Sequence, residues 1–168
     1  MEVLVTGASG GIGRRLCSVL ADEGHNVRAL VRMGSKATGL YHRNITSHTG
    51  DITVSDSVRP LLRDCDCVIH AAGLKSAARE KTLHRNNVAG TQILADEAQD
   101  AGVTRFIYVS SIAAQGPSSP GLPHRRPGGE EPTDEYGHSK LAAERLLKDH
   151  AIQDRLTILR PSVLYGPE

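Results

Sequence analysis

The 168-residue sequence predicts one doubly wound α/β domain, a parallel sheet of about six strands flanked by helices on both faces. Three observations predict it. Short apolar runs alternate with stretches of helical periodicity along the whole chain, the pattern of parallel strands joined by right-handed helical crossovers. The apolar runs are continuous, as in strands covered on both faces. No internal repeat or linker-like shift in composition divides the chain, and its length suits a single domain.

The elements follow in order. Residues 3–6 form an apolar strand that ends at Gly7. Ile12, Leu16, Val19 and Leu20 then share a helical stripe, which Gly24 stops. Residues 26–31 read as a second strand, 33–44 as a loop, 45–49 as a weak strand and 56–62 as a short helix. Residues 67–71 form a third clear strand. One continuous helix is expected over 76–101, with Leu83, Asn87, Thr91, Leu94 and Ala98 on one stripe and Gly102 as its cap. Residues 105–110 form the fourth clear strand. Five prolines and four glycines make 116–133 a loop. A helix over 136–150 and a strand over 156–159 complete the fold, with Arg160-Pro161 ending the strand.

Composition narrows the function. Lys plus Arg is 20 against 19 Asp plus Glu, a net charge of +1. This balance argues against nucleic acid or a membrane surface as partner. Aromatics are 3% with no Trp, so stacking platforms for bases are not expected. Cys17, Cys65 and Cys67 are odd in number and lack the paired spacing of a metal site. They read as reduced thiols of a cytoplasmic protein, and no metal is expected. No apolar run approaches the ~18 residues of a membrane span, and no basic leader precedes the first strand.

Gly7, Ser9, Gly10, Gly11, Ile12 and Gly13 form a glycine-rich turn between the first strand and the first helix. A tight turn, backbone approach to a pyrophosphate and close helix packing each exclude a Cβ. The helix N-terminus then offers N–H groups and partial positive charge to phosphates. The strand–turn–helix context at this turn makes a Rossmann-type dinucleotide site the expectation. Arg32 stands 19 residues after Gly13 at the end of the second strand, with Lys36 nearby and no acid in the usual ribose-reading place. That favours NADP over NAD as cofactor.

Tyr136 and Lys140 are spaced i, i+4 and share a helix face. An ammonium there, aided by an oxidised nicotinamide, is expected to lower the phenol's ordinary value of about 10. Ser110 and Ser111 bring hydroxyls to the carboxyl edge of the sheet, where ligands bind in such folds.

Together these residues resemble the extended short-chain dehydrogenase/reductase family, which includes nucleotide-sugar epimerases and dehydratases. The resemblance runs over essentially the whole chain. Gly50-Asp51-Ile52 resembles the family's adenine-binding segment, and Val68–Gly73 the segment under the cofactor. Asn86–Thr91 is similar to its N-V-x-G-T helix motif, and Tyr108–Ser111 ends on the expected catalytic Ser. Residues 160–167 resemble its R-P-x-x-x-Y-G-P stretch beside the nicotinamide.

The resemblance implies Tyr136 as general acid/base, Lys140 as its partner and ribose ligand, and Ser111 bonded to the reacting oxygen. It implies cofactor contacts from Asp51, Ile52, Ala71, Ala72, Gly73, Lys75, Asn87, Pro161 and Val163, with Asn87 supporting the site more than doing chemistry. Ala72-Gly73-Leu74-Lys75 is similar to the cofactor-contacting segment of UDP-galactose 4-epimerases and favours a sugar nucleotide as substrate. Arg32 pulls away from those epimerases. The absence of acids beside Ser111 disfavours dehydration. An NADPH-dependent reductase or dehydrogenase of the hydroxysteroid or flavonoid-reductase type stays open, as does a non-catalytic nucleotide-binding module. The family often dimerises through helices that correspond to 76–101 and 136–150. Its substrate-specifying portion lies mainly after Pro167, so residues 1–168 are expected to be the cofactor-binding domain of a longer enzyme.

Blander roles are expected elsewhere. His70 reads as a satisfied strand-end histidine and His138 as solvent-facing. Cys17 reads as helix packing. At least one of Arg14 and Arg15 reads as solvated, and residues 124–126 with Glu130 and Glu131 as an exposed loop.

Overall fold

Strands and helices fall in the predicted alternation. They are β1 (Glu2–Thr6), α1 (Gly11–Asp22), β2 (Asn26–Val31), β3 (Ile45–Thr49), α2 (Ser55–Leu62) and β4 (Cys67–His70). α3 (Glu80–His84), α4 (Gly90–Asp100), β5 (Arg105–Val109), α5 (Glu135–Lys148) and β6 (Leu156–Leu159) follow. The computed structural model describes residues 1–35, 38–76, 79–118 and 129–164. Lys36, residues 124–126 and the 165–167 end of the R-P-x-x-x-Y-G-P stretch lie outside them.

All six strands are parallel, in the order β3–β2–β1–β4–β5–β6. This is the expected Rossmann-type sheet. The order reverses between β1 and β4, so the crevice at their carboxyl ends is where a ligand binds in such a fold.

The period-two alternation of strands divides the core. Val3, Val5, Val27, Ala29, Cys67 and Ile69 pack with Cys17 and Ala21 of α1. Leu4, Leu30, Val68, Phe106 and Tyr108 pack on the other face with residues of α2, α4 and α5, including Leu62, Leu94 and Leu147. Cys17 is helix packing as expected, and burial pushes its thiol up to about 11. The edge strands β3 and β6 are only half covered. Their sequences, ITSHT and LTIL, mix polar and apolar residues accordingly.

The helix expected over 76–101 needs correction. Helical structure begins at Glu80 and is broken by a π-helical turn over Arg85–Ala89 before α4 resumes. Such single π turns recur at functional sites. Here the turn carries Asn87, whose side chain bonds the Leu74 backbone. The expected stripe survives the irregularity: Leu83, Asn87, Thr91, Leu94 and Ala98 are all buried.

Register aligns the site. Thr6 of β1 pairs with His70 of β4, and His70 with Tyr108 of β5, giving one row across the carboxyl end of the sheet.

Leu94 is fully buried between α4 and the sheet. Leu94→Ala is expected to lower the urea-unfolding free energy by about 2–5 kcal/mol. Met33 is 89% exposed, and Met33→Ala is expected to stay within about 0.5 kcal/mol of the parent chain.

Candidate active and cofactor site

The turn after β1 is built from contacts that admit no side chain. Gly7 has φ +70°, and a Cβ there would lie 2.7 Å from the Ala72 nitrogen and 2.8 Å from the Ala71 carbonyl carbon. A Cβ at Gly13 would overlap the Gly7 carbonyl oxygen. α1 therefore sits directly against the turn, and the turn directly against the segment after β4. Gly10 caps α1 with no side chain of its own, and the first helical turn holds no acid. The leading N–H groups and the partial positive charge of α1 are thus left for an anionic ligand.

A cleft of about 200 Å³ opens in front of this turn. Gly7, Ser9, Gly10, Arg32, Ile52, Ala71, Ala72 and Gly73, all expected cofactor contacts, are brought together on its wall. Leu30, Gly50, Leu74 and Asn86 line it too and had not been singled out as contacts. Gly50 and Asn86 lie inside motifs already recognised; Leu30 carried no signal beyond the end of its strand. Gly11, Ile12 and Gly13 are in the first turn of α1, behind the wall. Asp51 folds back on its own loop, its Oδ1 accepting from the Thr53 N–H and hydroxyl, each at 2.8 Å. Lys75, Pro161 and Val163 stand outside the cleft wall, Val163 being 83% exposed.

The cleft fits a dinucleotide. The glycine backbone up to the Gly10 cap of α1 suits phosphates, apolar Leu30 and Ile52 offer a slot for a flat ring, and exposed Arg32 offers a cation.

Ser111 follows β5 and caps a short turn over Ile112–Ala114, its Oγ accepting from the Ala113 N–H at 3.1 Å. Tyr136 is half-buried in the first turn of α5, whose start is fixed by Asp134 accepting from the Gly137 N–H at 2.6 Å. The Ser111 hydroxyl is close enough to the Tyr136 phenol to favour its ionised form. Lys140 is buried one turn on; its Nζ donates to the Val109 carbonyl at 2.7 Å and lies 4.3 Å from the Tyr108 ring centroid. A Cβ at Gly73 would be 3.8 Å from that Nζ, which puts the ammonium at the cleft wall. Burial pulls Lys140 down to about 8, with the Glu144 carboxylate acting the other way.

The expected depression of Tyr136 is not found. Burial raises its phenol above the ordinary value, the Ser111 hydrogen bond offsets this in part, and Asp134 adds to the rise. Lys140 directs one of its three N–H bonds to the Val109 carbonyl. Tyr136 is accordingly a neutral phenol at pH 7, ready to give a proton.

A directed hydrogen-bond chain supports both halves of the site. Thr91 Oγ1 spends its proton on the Asn87 carbonyl at 2.7 Å, so it can only accept from His70 Nε2, 2.9 Å away. His70 Nδ1 is then an acceptor and takes the Thr6 hydroxyl proton at 2.7 Å, while Thr6 Oγ1 accepts from the Ala72 N–H at 3.2 Å. His70 is therefore the satisfied histidine expected, fully buried, and burial pushes it down to about 3. Asn87 bonds both backbone groups of Leu74 and donates to Ser139 Oγ at 2.9 Å. Ser139 in turn donates to the Tyr136 carbonyl at 2.8 Å. Asn87 thus supports the site, as expected, and His138 is exposed, as expected.

Sequence reading missed a second network. Glu144 of α5 is fully buried and bonds Ser110, Arg160 and, at 3.9 Å, Lys148. Arg160 also meets Gln115 and Glu130. The expectation that Glu130 belongs to an exposed loop is corrected by this pair: its side chain is 11% exposed and lies 3.1 Å from Arg160.

Among the described residues, no three His, Cys, Asp or Glu side chains converge as a metal site, and no helix is long and apolar enough to cross a membrane. The model of the NAD dependent epimerase/dehydratase family matches residues 3–168, and the chain belongs to that family. It is 34% identical over 179 residues to a UDP-glucose 4-epimerase of Vibrio cholerae, covering 99% of this chain and 52% of the relative. It is 32% identical over 172 residues to a 4-hydroxy-2-methyl-3-oxo-4-farnesyl-3,4-dihydroquinoline-1-oxide ketoreductase of Stigmatella aurantiaca, covering 100% of this chain and 52% of the relative. A crystal structure of UDP-glucuronic acid 4-epimerase from Bacillus cereus in complex with NAD superposes with TM-score 0.82 and 26% identity, over 99% of this chain and 58% of that one. The chain thus spans about half the length of these relatives.

His70 has a lowered value in the fold, about 3 against 6.5. Between those values the unfolded chain binds the extra proton, so stability rises with pH across this window and is lost on acidification. Urea midpoints measured at pH 7 and pH 4 are expected to fall in the parent chain. His70→Gln is expected to show a smaller fall, while the carboxylates continue to titrate in both.

Proposed function

We propose, from the family membership, that the chain supplies the cofactor-binding and acid–base part of an NAD(P)-dependent epimerase or oxidoreductase acting on a sugar nucleotide or a related alcohol or ketone. The observation that carries this reading is the Lys140 ammonium at the cleft wall, one helical turn from Tyr136 and with Ser111 near the phenol. The glycine turn and the start of α1 hold the pyrophosphate, and Leu30 and Ile52 bracket the adenine. The bound nicotinamide supplies or accepts the hydride.

The chain's own residues handle the proton. In the reductive direction the neutral Tyr136 phenol donates to the substrate oxygen, which Ser111 orients by its hydroxyl. In the oxidative direction the phenol first loses its proton to solvent, the Lys140 ammonium stabilises the resulting phenolate, and that phenolate takes the substrate's hydroxyl proton. Below about pH 8 Lys140 carries its charge, so the site is complete at neutral pH. A reductase of ketone or steroid type uses the same residues, and the ketoreductase relative favours keeping it as the second reading.

Arg32 is exposed on the cleft wall at the end of β2. We assign it to the ribose end of the cofactor, where it favours a 2′-phosphate and hence NADP.

Tyr136→Phe in the full-length protein is expected to lower turnover by about 100-fold or more, while dinucleotide affinity by calorimetry stays near that of the parent. Unchanged turnover would refute the acid–base assignment. Arg32→Ala is expected to weaken NADP binding several-fold and leave NAD binding nearly unchanged; equal losses for both cofactors would refute the 2′-phosphate role.

A further inference from the structure

Tyr136, Lys140, Glu144 and Lys148 follow one another at four-residue steps along α5, so they form a row on one helix face. The row leads from the half-buried phenol through two buried charges to Lys148 at the surface. Glu144 is the deepest, with a side chain 1% exposed. Ser110 donates to its Oε1 at 2.5 Å from the end of β5. Arg160, just after β6, grips both carboxylate oxygens, with Nε at 2.8 Å from Oε1 and Nη2 at 2.6 Å from Oε2.

We propose that the buried Glu144 carboxylate is a positioning residue for the acid–base site: through Ser110 it sets the strand end that carries Ser111, and along the shared helix face it places a counter-charge one turn from Lys140. This rests on the roles given above to Ser111, Tyr136 and Lys140.

Glu144 faces Ser110, Arg160, Lys148, Lys140 and the Tyr108 phenol, and Arg160 carries Glu130 and Gln115 on its other side. Lys140 faces the Val109 carbonyl, the Tyr108 ring and neutral His70. A carbonyl dipole and a ring quadrupole help an ammonium, but neither is a full negative charge. The carboxylate that acts on Lys140 against desolvation is Glu144. Its bond from Ser110 has a geometric effect. Ser110 and Ser111 are adjacent, so fixing the Ser110 hydroxyl on α5 fixes the distance between the Ser111 strand end and the Tyr136 helix.

A purely structural clamp would change stability and leave Lys140 unmoved. The deciding measurement is therefore the ionisation of Lys140 itself. Lysine side chains are isotope-labelled in the full chain, the Lys140 signal is assigned with Lys140→Arg, and NMR follows it from pH 5 to 10 with no substrate present. The parent chain is expected to titrate at about 8. Glu144→Gln, which keeps an acceptor for Ser110, is expected to titrate lower, with the neutral fraction of Lys140 at pH 7 raised several-fold. NADH affinity should weaken correspondingly at pH 8 and match the parent at pH 6. Glu144→Asp, which restores the charge, should move the midpoint back up. An unshifted midpoint in Glu144→Gln would overturn the proposal. If Glu144→Gln does not fold, the parent chain still decides: a midpoint of about 5–6, as for a buried lysine without a counter-charge, overturns it. Neither readout uses turnover, so failure of the Tyr136 assignment and failure of this proposal are seen separately.

Discussion

The carbonyl oxygen of Gly7 occupies the space that a side chain on Gly13 would need, and the Ala71–Ala72 backbone occupies the space that one on Gly7 would need. Three pieces of backbone from β1, α1 and the end of β4 meet there with no Cβ between them. Everything at the carboxyl edge of the sheet takes its position from that meeting. It brings the start of α1 close enough to offer its N–H groups to a phosphate. It also brings Ala72 within hydrogen-bond reach of Thr6, which is where the chain through His70, Thr91 and Asn87 begins. One consequence is that the cofactor wall and the acid–base helix α5 are joined by directed hydrogen bonds, since Asn87 passes the connection to Ser139 and so to the Tyr136 carbonyl.

Two buried bases then behave differently because their surroundings differ. His70 and Lys140 both lose solvation, and burial is the leading cause of each shift. His70 answers by staying neutral, with both ring nitrogens satisfied by hydroxyls whose protons are already committed. Lys140 adds to that outcome, since a second buried cation nearby would be repelled. Lys140 has a carboxylate four residues along its own helix and keeps its charge to about pH 8. Burying an ammonium and a carboxylate on one helix is rarely the most stabilising way to fill a core. Their presence beside a phenol that must exchange a proton is easier to understand as chemistry than as stability.

Much of this was legible in the amino-acid sequence, for identifiable reasons. Strand and helix periodicity located β2, β3 and β6 to the residue, because local patterning and burial agree there. The glycine turn, Tyr136, Lys140 and Ser111 were legible because each demands a particular residue type at a particular spacing. The π turn at Arg85–Ala89 was not, because it coincides with Asn87 bonding a distant backbone, and helical periodicity carries no trace of that contact. Glu130 read as one of two loop acids, since its partner Arg160 lies 30 residues away. The raised value of Tyr136 was not foreseen for a related reason: i, i+4 spacing shows that Lys140 shares a face, but not that burial governs the phenol.

Glu144 is the instructive case. Its spacing from Lys140 is the same as that of Lys140 from Tyr136, so the row could be written down from sequence alone. On an exposed helix that row would be an ordinary surface ladder worth a few tenths of a kcal/mol. What changes its meaning is depth. Arg160 and Ser110 arrive from the far ends of β6 and β5, close over the carboxylate and remove water from it. In a low-dielectric setting a unit charge acts on its neighbours far more strongly than at the surface. The same four residues therefore pass from surface decoration to control of an ionisation state, and it is tertiary packing, contributed by two strands distant in the chain, that makes the difference.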